Sequence, residues 1–338
     1  MGIYMWGYGG SGDHSCEDRI RGTCCLLPEK PELYSASPEE DFCFGLGNLA
    51  NLNRQLPGAM EDCLRPGDVV LHDRPVAKCD GRSHWNVLWA WSVGPGMVSR
   101  RMAKSLGRFD AIVVTDRRSV DALGAAGLEK TVWLGPDPSF LVQRQIRPLQ
   151  GAFRDDTVGL CLGHGISRFE GEDGLLFRSY LHLIQFLLRE TSFHIALIPY
   201  CTKAAQNDEM LIGALARQFR DERRIRCRED GSSPLLRGDL SLCRFVVGAA
   251  GAVAAWSCGV PALCLGADPR AVGVAQELFG SWQELVLPVG LVRREEELAQ
   301  RFRILLSRED RIRRRLRVAV PERRAYAAQW DGRMMRRA

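Results

Sequence analysis

A glycine-rich segment near the start of the chain carries several side chains that could do chemistry. Residues 7–17 read GYGGSGDHSCE and follow a short apolar run, which predicts a loop between a strand and a helix. We call this segment the entry loop. Glycines let a backbone approach a ligand closely, and the first N–H groups of the next helix can bind an anion or a hydroxyl. We therefore expect Ser11 to contact an anionic ligand, and Asp13, His14 and Glu17 to act as acids or bases.

A second candidate for acid–base chemistry is His164, which lies between two glycines directly after a predicted strand. That place favours a functional role, and an ordinary structural histidine stays an equal alternative. The loop at residues 7–17 lacks the spacing of a dinucleotide-binding fingerprint, and no Walker lysine follows it.

The elements that must position these residues form a repeating pattern. Short apolar runs alternate with longer amphipathic stretches, which predicts parallel β-α-β units. The pattern stops over residues 143–156 and then restarts, so we predict an α/β protein with two Rossmann-like lobes and a cleft between them. The lobes are expected over residues 1–142 and 157–320, and the tail over 321–338 is expected to pack back on the first lobe. Ten strands are predicted: Ile3–Trp6, Asp68–Leu71, Val87–Trp91, Asp110–Val114, Lys130–Leu134, Val158–Leu162, His194–Ile198, Arg224–Cys227, Arg244–Val247 and Ala262–Leu265.

The composition restricts the class of partner. The 338 residues are 46% hydrophobic and 26% charged with a net charge of +5, which is typical of a globular protein and only mildly basic. No basic stripe with interleaved aromatic residues occurs, so we expect no nucleic-acid partner. The 12 cysteines lie mostly in apolar segments without a C-x-x-C pair, which predicts reduced core thiols and no metal site.

Membrane contact is expected to be weak at most. No apolar run is long enough to span a bilayer and no leader-like segment opens the sequence, so a cytoplasmic location is expected. The segment Glu295–Arg317 is predicted to be a strongly basic helix. It could touch an anionic membrane surface, although a solvated helix face is the simpler interpretation.

Further motifs follow the entry loop in a fixed order. They are WAWSVGP over residues 89–95, DRRSVDAL over 116–123, PDPSFL over 136–141, LIPY over 197–200 with Asn207 and Asp208, and SCGVP over 257–261 with Arg270 after it. Together with the entry loop they resemble the polysaccharide pyruvyl transferase family. The resemblance implies a GT-B-like fold and transfer of a pyruvyl ketal from phosphoenolpyruvate to two hydroxyls of a sugar. It requires no metal and no organic cofactor.

The chemistry of that reaction explains the residue types that its site needs. Phosphoenolpyruvate carries a carboxylate and a phosphate, both of which arginine can bind through two parallel hydrogen bonds. Its enol carbon must gain a proton and a sugar hydroxyl must lose one, so acid–base groups are required. We expect Arg270, Asn207, Arg117 and Ser11 to bind the donor, and His164 to join the catalytic groups of the entry loop.

The sequence departs from the family pattern at charged positions. Thr115 stands at an arginine position, Tyr200 at a histidine position, and Gly248 and Ala250 at an Arg-x-His pair. Arg270 keeps the positive charge of a family lysine. Each charge-assisted hydrogen bond contributes about 1.5–3 kcal/mol, so several losses weaken donor binding by orders of magnitude unless other groups replace them.

Three functions therefore stay open. We favour an enzyme, a transferase that modifies hydroxyls of a glycan or another polyhydroxylated acceptor, with phosphoenolpyruvate or a changed anionic donor. The first alternative is a catalytically silent family member that acts as a binding or partner subunit. The second is a nucleotide-sugar glycosyltransferase. The sequence predicts neither the acceptor nor the oligomeric state.

Overall fold

The protein is an α/β structure that divides into two compact units. The computed structural model describes residues 3–7, 14–27, 31–35, 65, 68–72, 84–146, 156–162, 174–201, 208–229, 231–248, 251–266 and 268–330. Unit 1 consists of Met1–Ser11, Arg19–Val142 and Arg323–Ala338. Unit 2 consists of Gly12–Asp18 and Gln143–Glu322. Residues 12–18 and 323–338 thus belong to the unit that chain order alone would not assign to them.

Unit 1 contains a six-stranded parallel sheet in the order β2-β1-β3-β4-β5-β6. Its strands are β1 Ile3–Gly7, β2 Glu32–Ser35, β3 Val69–His72, β4 Trp85–Trp91, β5 Ala111–Val114 and β6 Val132–Leu134. Helix α1 covers His14–Leu26, and it is followed by α2 Arg100–Leu106 and α3 Arg117–Ala125. Every residue of β3 and β5 is buried, as expected for parallel strands that are covered on both faces.

Unit 2 contains a second six-stranded parallel sheet in the order β12-β11-β10-β7-β8-β9. Its strands are β7 Thr157–Cys161, β8 His194–Leu197, β9 Ile225–Cys227, β10 Phe245–Gly248, β11 Ala262–Leu265 and β12 Val286–Leu287. Its helices are α4 Leu175–Glu190, α5 Asp208–Gln218, α6 Ser233–Ser241, α7 Ala252–Ser257, α8 Pro269–Phe279, α9 Glu297–Ser307 and α10 Glu309–Gln329, the last of which continues into residues of unit 1.

Both sheets reverse their strand order at one point. The reversal lies between β1 and β3 in unit 1 and between β7 and β10 in unit 2. Loops at the carboxyl ends of strands beside such a reversal are the usual ligand-binding position in open α/β sheets. In the sequence the entry loop follows β1, and in unit 2 the strands beside the reversal are β7 and β10.

All ten predicted strands are present, with ends that differ by at most two residues. The prediction missed the edge strands β2 and β12, because ELYS of β2 has neither an apolar run nor a strict alternation and β12 has only two residues. The basic helix predicted over Glu295–Arg317 is wrong as a single element, because it is interrupted at Arg308 and then runs on to Gln329. Within the described ranges, no helix combines the length and apolar composition that crossing a bilayer requires.

Candidate functional site

The structure describes only part of the predicted site. Ser11, Asp13, His164 and Asn207 lie outside the described residues, as does Ala250. His14 is the first residue of α1, and only its backbone is described. The roles predicted for these residues stay predictions.

Three predicted site residues are described with their side chains. Glu17 lies in the first turn of α1 and is half-buried. Arg117 is the first residue of α3 in unit 1 and is exposed. Arg270 lies in the first turn of α8 in unit 2 and is buried. Arg270 contacts Ser15, in the first turn of α1.

Arg270 is positioned by the turn between β11 and α8. Gly266 adopts a φ of +147°, which glycine tolerates, and Asp268 caps α8 by accepting a hydrogen bond from the Arg270 backbone N–H at 3.1 Å. The Arg270 side chain is 7% exposed, and its Nη1 donates to Ser15 Oγ at 3.0 Å. A guanidinium thus lies against the first turn of α1, where the helix dipole also favours an anion.

A buried polar network lies one turn further along α1, around Asp18. Arg237 Nη1 donates to Asp18 Oδ2 at 2.7 Å, and the hydroxyl of Tyr200 donates to the same oxygen at 2.9 Å. The hydroxyl of Ser233 donates to Asp18 Oδ1, and Arg237 Nη2 donates to Ser257 Oγ. We call these five residues the Asp18 network; all of them belong to unit 2.

The charges within this network compensate each other. The side chains of Arg237 and Asp18 are only 1% and 3% exposed. Burial alone would lower the pKa of Arg237, but the neighbouring groups, foremost the Asp18 carboxylate, together outweigh burial and hold that pKa above its ordinary value. Burial and the Asp18 carboxylate raise the pKa of Tyr200. Tyr200 therefore stays a protonated donor at neutral pH and is not poised to act as a base.

Tyr200 is held in place by Asp208, the first residue of α5. The backbone N–H groups of Tyr200 and Cys201 donate to Asp208 Oδ2 at 3.1 and 2.9 Å, and Asp208 is fully buried. The sequence indicated Asp208 only as part of the motif that follows LIPY. In the structure, its carboxylate closes the loop after β8 and thereby orients Tyr200 toward Asp18.

Gly248, at the arginine position of the Arg-x-His pair, is packed too tightly for a larger residue. Gly248 is paired with Cys161 across β10 and β7, and a Cβ at Gly248 would lie 1.7 Å from the carbonyl oxygen of Cys161. Gly251 adopts a φ of +77°, and a Cβ there would lie 3.1 Å from Cys161 Sγ and 3.5 Å from the Tyr200 ring. An arginine at position 248 is therefore incompatible with this backbone.

The arginine position occupied by Thr115 is also part of a hydrogen-bonded arrangement. Thr115 Oγ1 lies 2.6 Å from Ser92 Oγ and is buried. Asp116 caps α3 by accepting from the Ser119 backbone N–H at 2.9 Å, and Ser119 Oγ accepts from the backbone N–H of Val93 at 2.9 Å. These contacts hold the loop after β4 against the start of α3 and account structurally for the serines of both motifs.

His72, Cys161 and Cys243 are unsuited to acid–base or thiolate catalysis at neutral pH. His72 is fully buried with its Nε2 2.9 Å from Asn86 Oδ1, and burial lowers its pKa to about 4, so it is neutral. Burial raises the pKa of Cys161 and Cys243, so neither supplies a thiolate. Among the residues that the structure describes, no group of three or more metal-ligating side chains is arranged to hold an ion.

Comparison with known proteins decides the family. The family model named polysaccharide pyruvyl transferase matches residues 70–269, which is more than half of the chain. The chain belongs to this family. Membership in the polysaccharide pyruvyl transferase family supports a transferase that modifies glycans. A search of curated protein sequences found no match for this pyruvyl transferase family member.

Solved structures share the fold of this family member at low sequence identity. The HepE protein of Anabaena, in complex with UDP and glucose, is 14% identical with a TM-score of 0.58, and the match covers 100% of each chain. The UDP-GlcNAc 2-epimerase from Neisseria meningitidis, bound to UDP-GlcNAc, is 12% identical with a TM-score of 0.55, and the match covers 97% of this chain and 98% of that one. The UDP-GlcNAc 2-epimerase from Methanocaldococcus jannaschii, in complex with UDP-GlcNAc and UDP, is also 12% identical with a TM-score of 0.55, over 90% and 93% of the two chains. At these identities the likeness shows the fold alone, and it confirms the predicted class of two Rossmann-like, GT-B-like units.

Sequence reasoning missed the Asp18 network in this family member. One signal could have indicated it: Arg237 lies within SPLLRGDLS, directly after two leucines, where an arginine that enters the core needs an acidic partner. The partner itself could not be identified, because Asp18 and Arg237 are 219 residues apart.

Proposed function

We propose that this chain is a transferase that acts on hydroxyl groups of a glycan and binds its anionic donor in unit 2, with phosphoenolpyruvate as the first candidate donor. The observation that carries the proposal is the buried Arg270 guanidinium against the first turn of α1, at the end of the entry loop. The family membership supports both the reaction class and the acceptor class.

The chemistry of the donor matches this arrangement. A guanidinium presents N–H donors in a planar fork that fits carboxylate and phosphate oxygens. The first turn of α1 adds the positive end of a helix dipole. The Arg237 charge is compensated by Asp18, so we assign the attraction for the donor to Arg270 rather than to Arg237.

The proposed reaction forms two carbon–oxygen bonds and breaks one. Two sugar hydroxyls lose their protons and their oxygens bond to the enolic C2 of phosphoenolpyruvate; one proton is added to the methylene carbon, and the other leaves with inorganic phosphate as the bond between C2 and the phosphate oxygen breaks. Proton transfer needs groups close to the donor, and we assign it to Asp13, His14 and Glu17 of the entry segment, with His164 as a further candidate. These roles follow from the order of the motifs along the chain.

The direct test is incubation with phosphoenolpyruvate and a panel of sugars. We expect release of inorganic phosphate and a mass gain of one pyruvyl ketal on the acceptor. Arg270→Ala is expected to reduce kcat/KM by about a hundredfold, which corresponds to the loss of one strong charge-assisted interaction. Arg220→Ala is the matched control, because the Arg220 side chain is 83% exposed and also belongs to unit 2. Equal losses in both variants would contradict the assignment of Arg270.

A second candidate function is a catalytically silent partner subunit. It is favoured by the close contact of Gly248 with Cys161, which excludes the family arginine rather than leaving room for it. Calorimetry distinguishes the two functions. A transferase is expected to bind phosphoenolpyruvate with a measurable heat that Arg270→Ala removes. A silent subunit is expected to show no such heat. Stabilisation by UDP instead of phosphoenolpyruvate would favour the nucleotide-sugar glycosyltransferase considered from the sequence.

A further inference from the structure

We propose that Asp18 and Arg237 are positioning residues that fix the first turn of α1 against α8 and thereby set the affinity for the donor anion. This inference rests on the proposed function, because it concerns the same Arg270 site. Asp18 and Arg237 are buried and bonded to each other, so the proposed effect acts through the position of Ser15 and the adjacent N–H groups of α1.

The geometry of α1 supplies the first argument. Ser15 and Asp18 are three residues apart and therefore lie on the same face of the helix, about one turn from each other. Ser15 is contacted from α8 by Arg270, and Asp18 is contacted from α6 by Arg237. These two contacts lie one turn apart on α1 and come from two different helices. Together they fix the position of this turn and its rotation about the helix axis.

The number of donors on Asp18 supplies the second argument. Its carboxylate accepts from Arg237 on α6, from Ser233 at the start of α6, and from Tyr200 after β8. A carboxylate held from three directions has little freedom to move. Two buried charges cost about as much in desolvation as they return in attraction, so such a pair is better explained by the orientation it imposes than by net stability.

The direction in which donor affinity changes distinguishes an electrostatic role of Asp18 from a positioning role. An acidic side chain one turn from an anion site repels the anion, so removal of the Asp18 charge alone would strengthen donor binding. If Asp18 instead acts by position, its removal loosens the first turn of α1 and weakens donor binding. The direction of the change therefore separates the two roles.

The test uses Asp18→Asn and isothermal titration with phosphoenolpyruvate and, separately, with inorganic phosphate. We expect the Kd for phosphoenolpyruvate to increase about tenfold, which is equivalent to 1.4 kcal/mol. The matched control is Asp239→Asn, which disrupts the ion pair at 3.1 Å between Asp239 on α6 and Arg228, the residue after β9. Asp239 lies within α6 and its carboxylate pairs with Arg228, so this variant is expected to lose stability while its Kd stays unchanged.

A double variant controls for the possibility that Asp18→Asn fails to fold. Asp18→Asn leaves the Arg237 charge buried without its partner, whereas the double variant Asp18→Asn/Arg237→Gln removes both charges and keeps hydrogen-bonding groups. We expect the double variant to fold, to show faster hydrogen exchange at the amides of residues 14–18, and to bind phosphoenolpyruvate more weakly than the wild type. In an Arg270→Ala background, Asp18→Asn is expected to change the Kd no further, because the anion contact that it positions is already lost.

The outcomes are separable from those of the proposed function. A Kd that is unchanged or lower in Asp18→Asn overturns the positioning role while the donor site stands. A wild-type protein that binds neither phosphoenolpyruvate nor phosphate overturns the proposed function. In that case hydrogen exchange tests whether Asp18 and Arg237 hold the first turn of α1 in place. Unchanged exchange at residues 14–18 in the double variant would overturn the positioning role as well.

Discussion

Gly248 and His72 show how single residues in this protein are fixed by their surroundings. Among the described glycines, Gly248 leaves the least room for a side chain, because the Cys161 carbonyl oxygen occupies the position that a Cβ would need. His72 is enclosed by β4 and Phe109 and bonds to Asn86, so its ring is held neutral. Each of these two constraints predicts a measurable change in stability.

Gly248→Ala is expected to destabilise unit 2 by about 3 kcal/mol, because a methyl group 1.7 Å from a backbone oxygen forces β10 away from β7. Urea denaturation followed by circular dichroism measures the change. Gly290→Ala is the control: a Cβ there meets nothing within 4 Å, so its effect should stay within about 1 kcal/mol. Equal stability of the two variants would show that β10 and β7 can separate without cost.

The stability of unit 1 is expected to fall as the pH decreases from about 6.5 to about 4. In the unfolded chain His72 gains a proton near its ordinary pKa of 6.5, but in the folded chain burial lowers that pKa to about 4. The unfolded state therefore binds more protons across this window, which removes up to about 3 kcal/mol at the acidic end. Urea denaturation across the pH range measures the slope, and His72→Gln should flatten it; the same slope in both proteins would contradict the prediction.

At the scale of elements, loops after strands are closed by carboxylates from the following helix. Asp208 closes the loop between β8 and α5 in unit 2, and Asp116 caps α3 after β5 in unit 1. These caps satisfy backbone N–H groups that would otherwise be buried without partners. In unit 2 the cap also orients Tyr200, which links the loop after β8 to α1.

Asp208→Ala is expected to destabilise unit 2 by about 3 kcal/mol, because two buried backbone N–H groups lose a charged acceptor. Denaturation and hydrogen exchange at residues 200 and 201 measure the effect. Asp221→Ala serves for comparison, since the Asp221 side chain is 94% exposed and its removal should change little. A similar loss in both variants would mean that the loop does not depend on the Asp208 carboxylate.

At the scale of the whole molecule, chain order and unit membership differ at two places. The first residues of α1 belong to unit 2, and residues from Arg323 onward belong to unit 1. In unit 1 the Trp330 ring lies 5.0 Å from the Trp89 ring, and the Tyr326 hydroxyl donates to the Leu134 carbonyl at 3.0 Å. The end of α10 thus completes the core of unit 1.

Truncation after Glu322 is therefore expected to weaken unit 1 although the deleted segment follows unit 2 in the sequence. Loss of the Trp330 packing and of buried Ala327 should remove about 3 kcal/mol of stability from unit 1. Hydrogen exchange should become faster in β4 and stay unchanged in β10. Faster exchange in β10 alone would contradict this assignment of the segment.

The sequence by itself determined the local elements and the family. The alternation of apolar and amphipathic stretches predicted ten of the twelve described strands, because burial of a strand or a helix face leaves a period in the residues nearby. The order of short motifs indicated the family that the model match over residues 70–269 established. The edge strand β2 was missed because ELYS has neither an apolar run nor a strict alternation, and β12 was missed because it has only two residues.

The tertiary structure alone decided which charged groups meet. Arg270 contacts Ser15 across 255 residues and Arg237 contacts Asp18 across 219, and no local pattern encodes such pairs. Only the tertiary structure showed that Arg237 on α6 pairs with Asp18 and that Arg270 on α8 contacts Ser15, both near the start of α1. The physical reason is that periodicity reports what each element buries, whereas side-chain partners depend on how distant elements are placed in three dimensions.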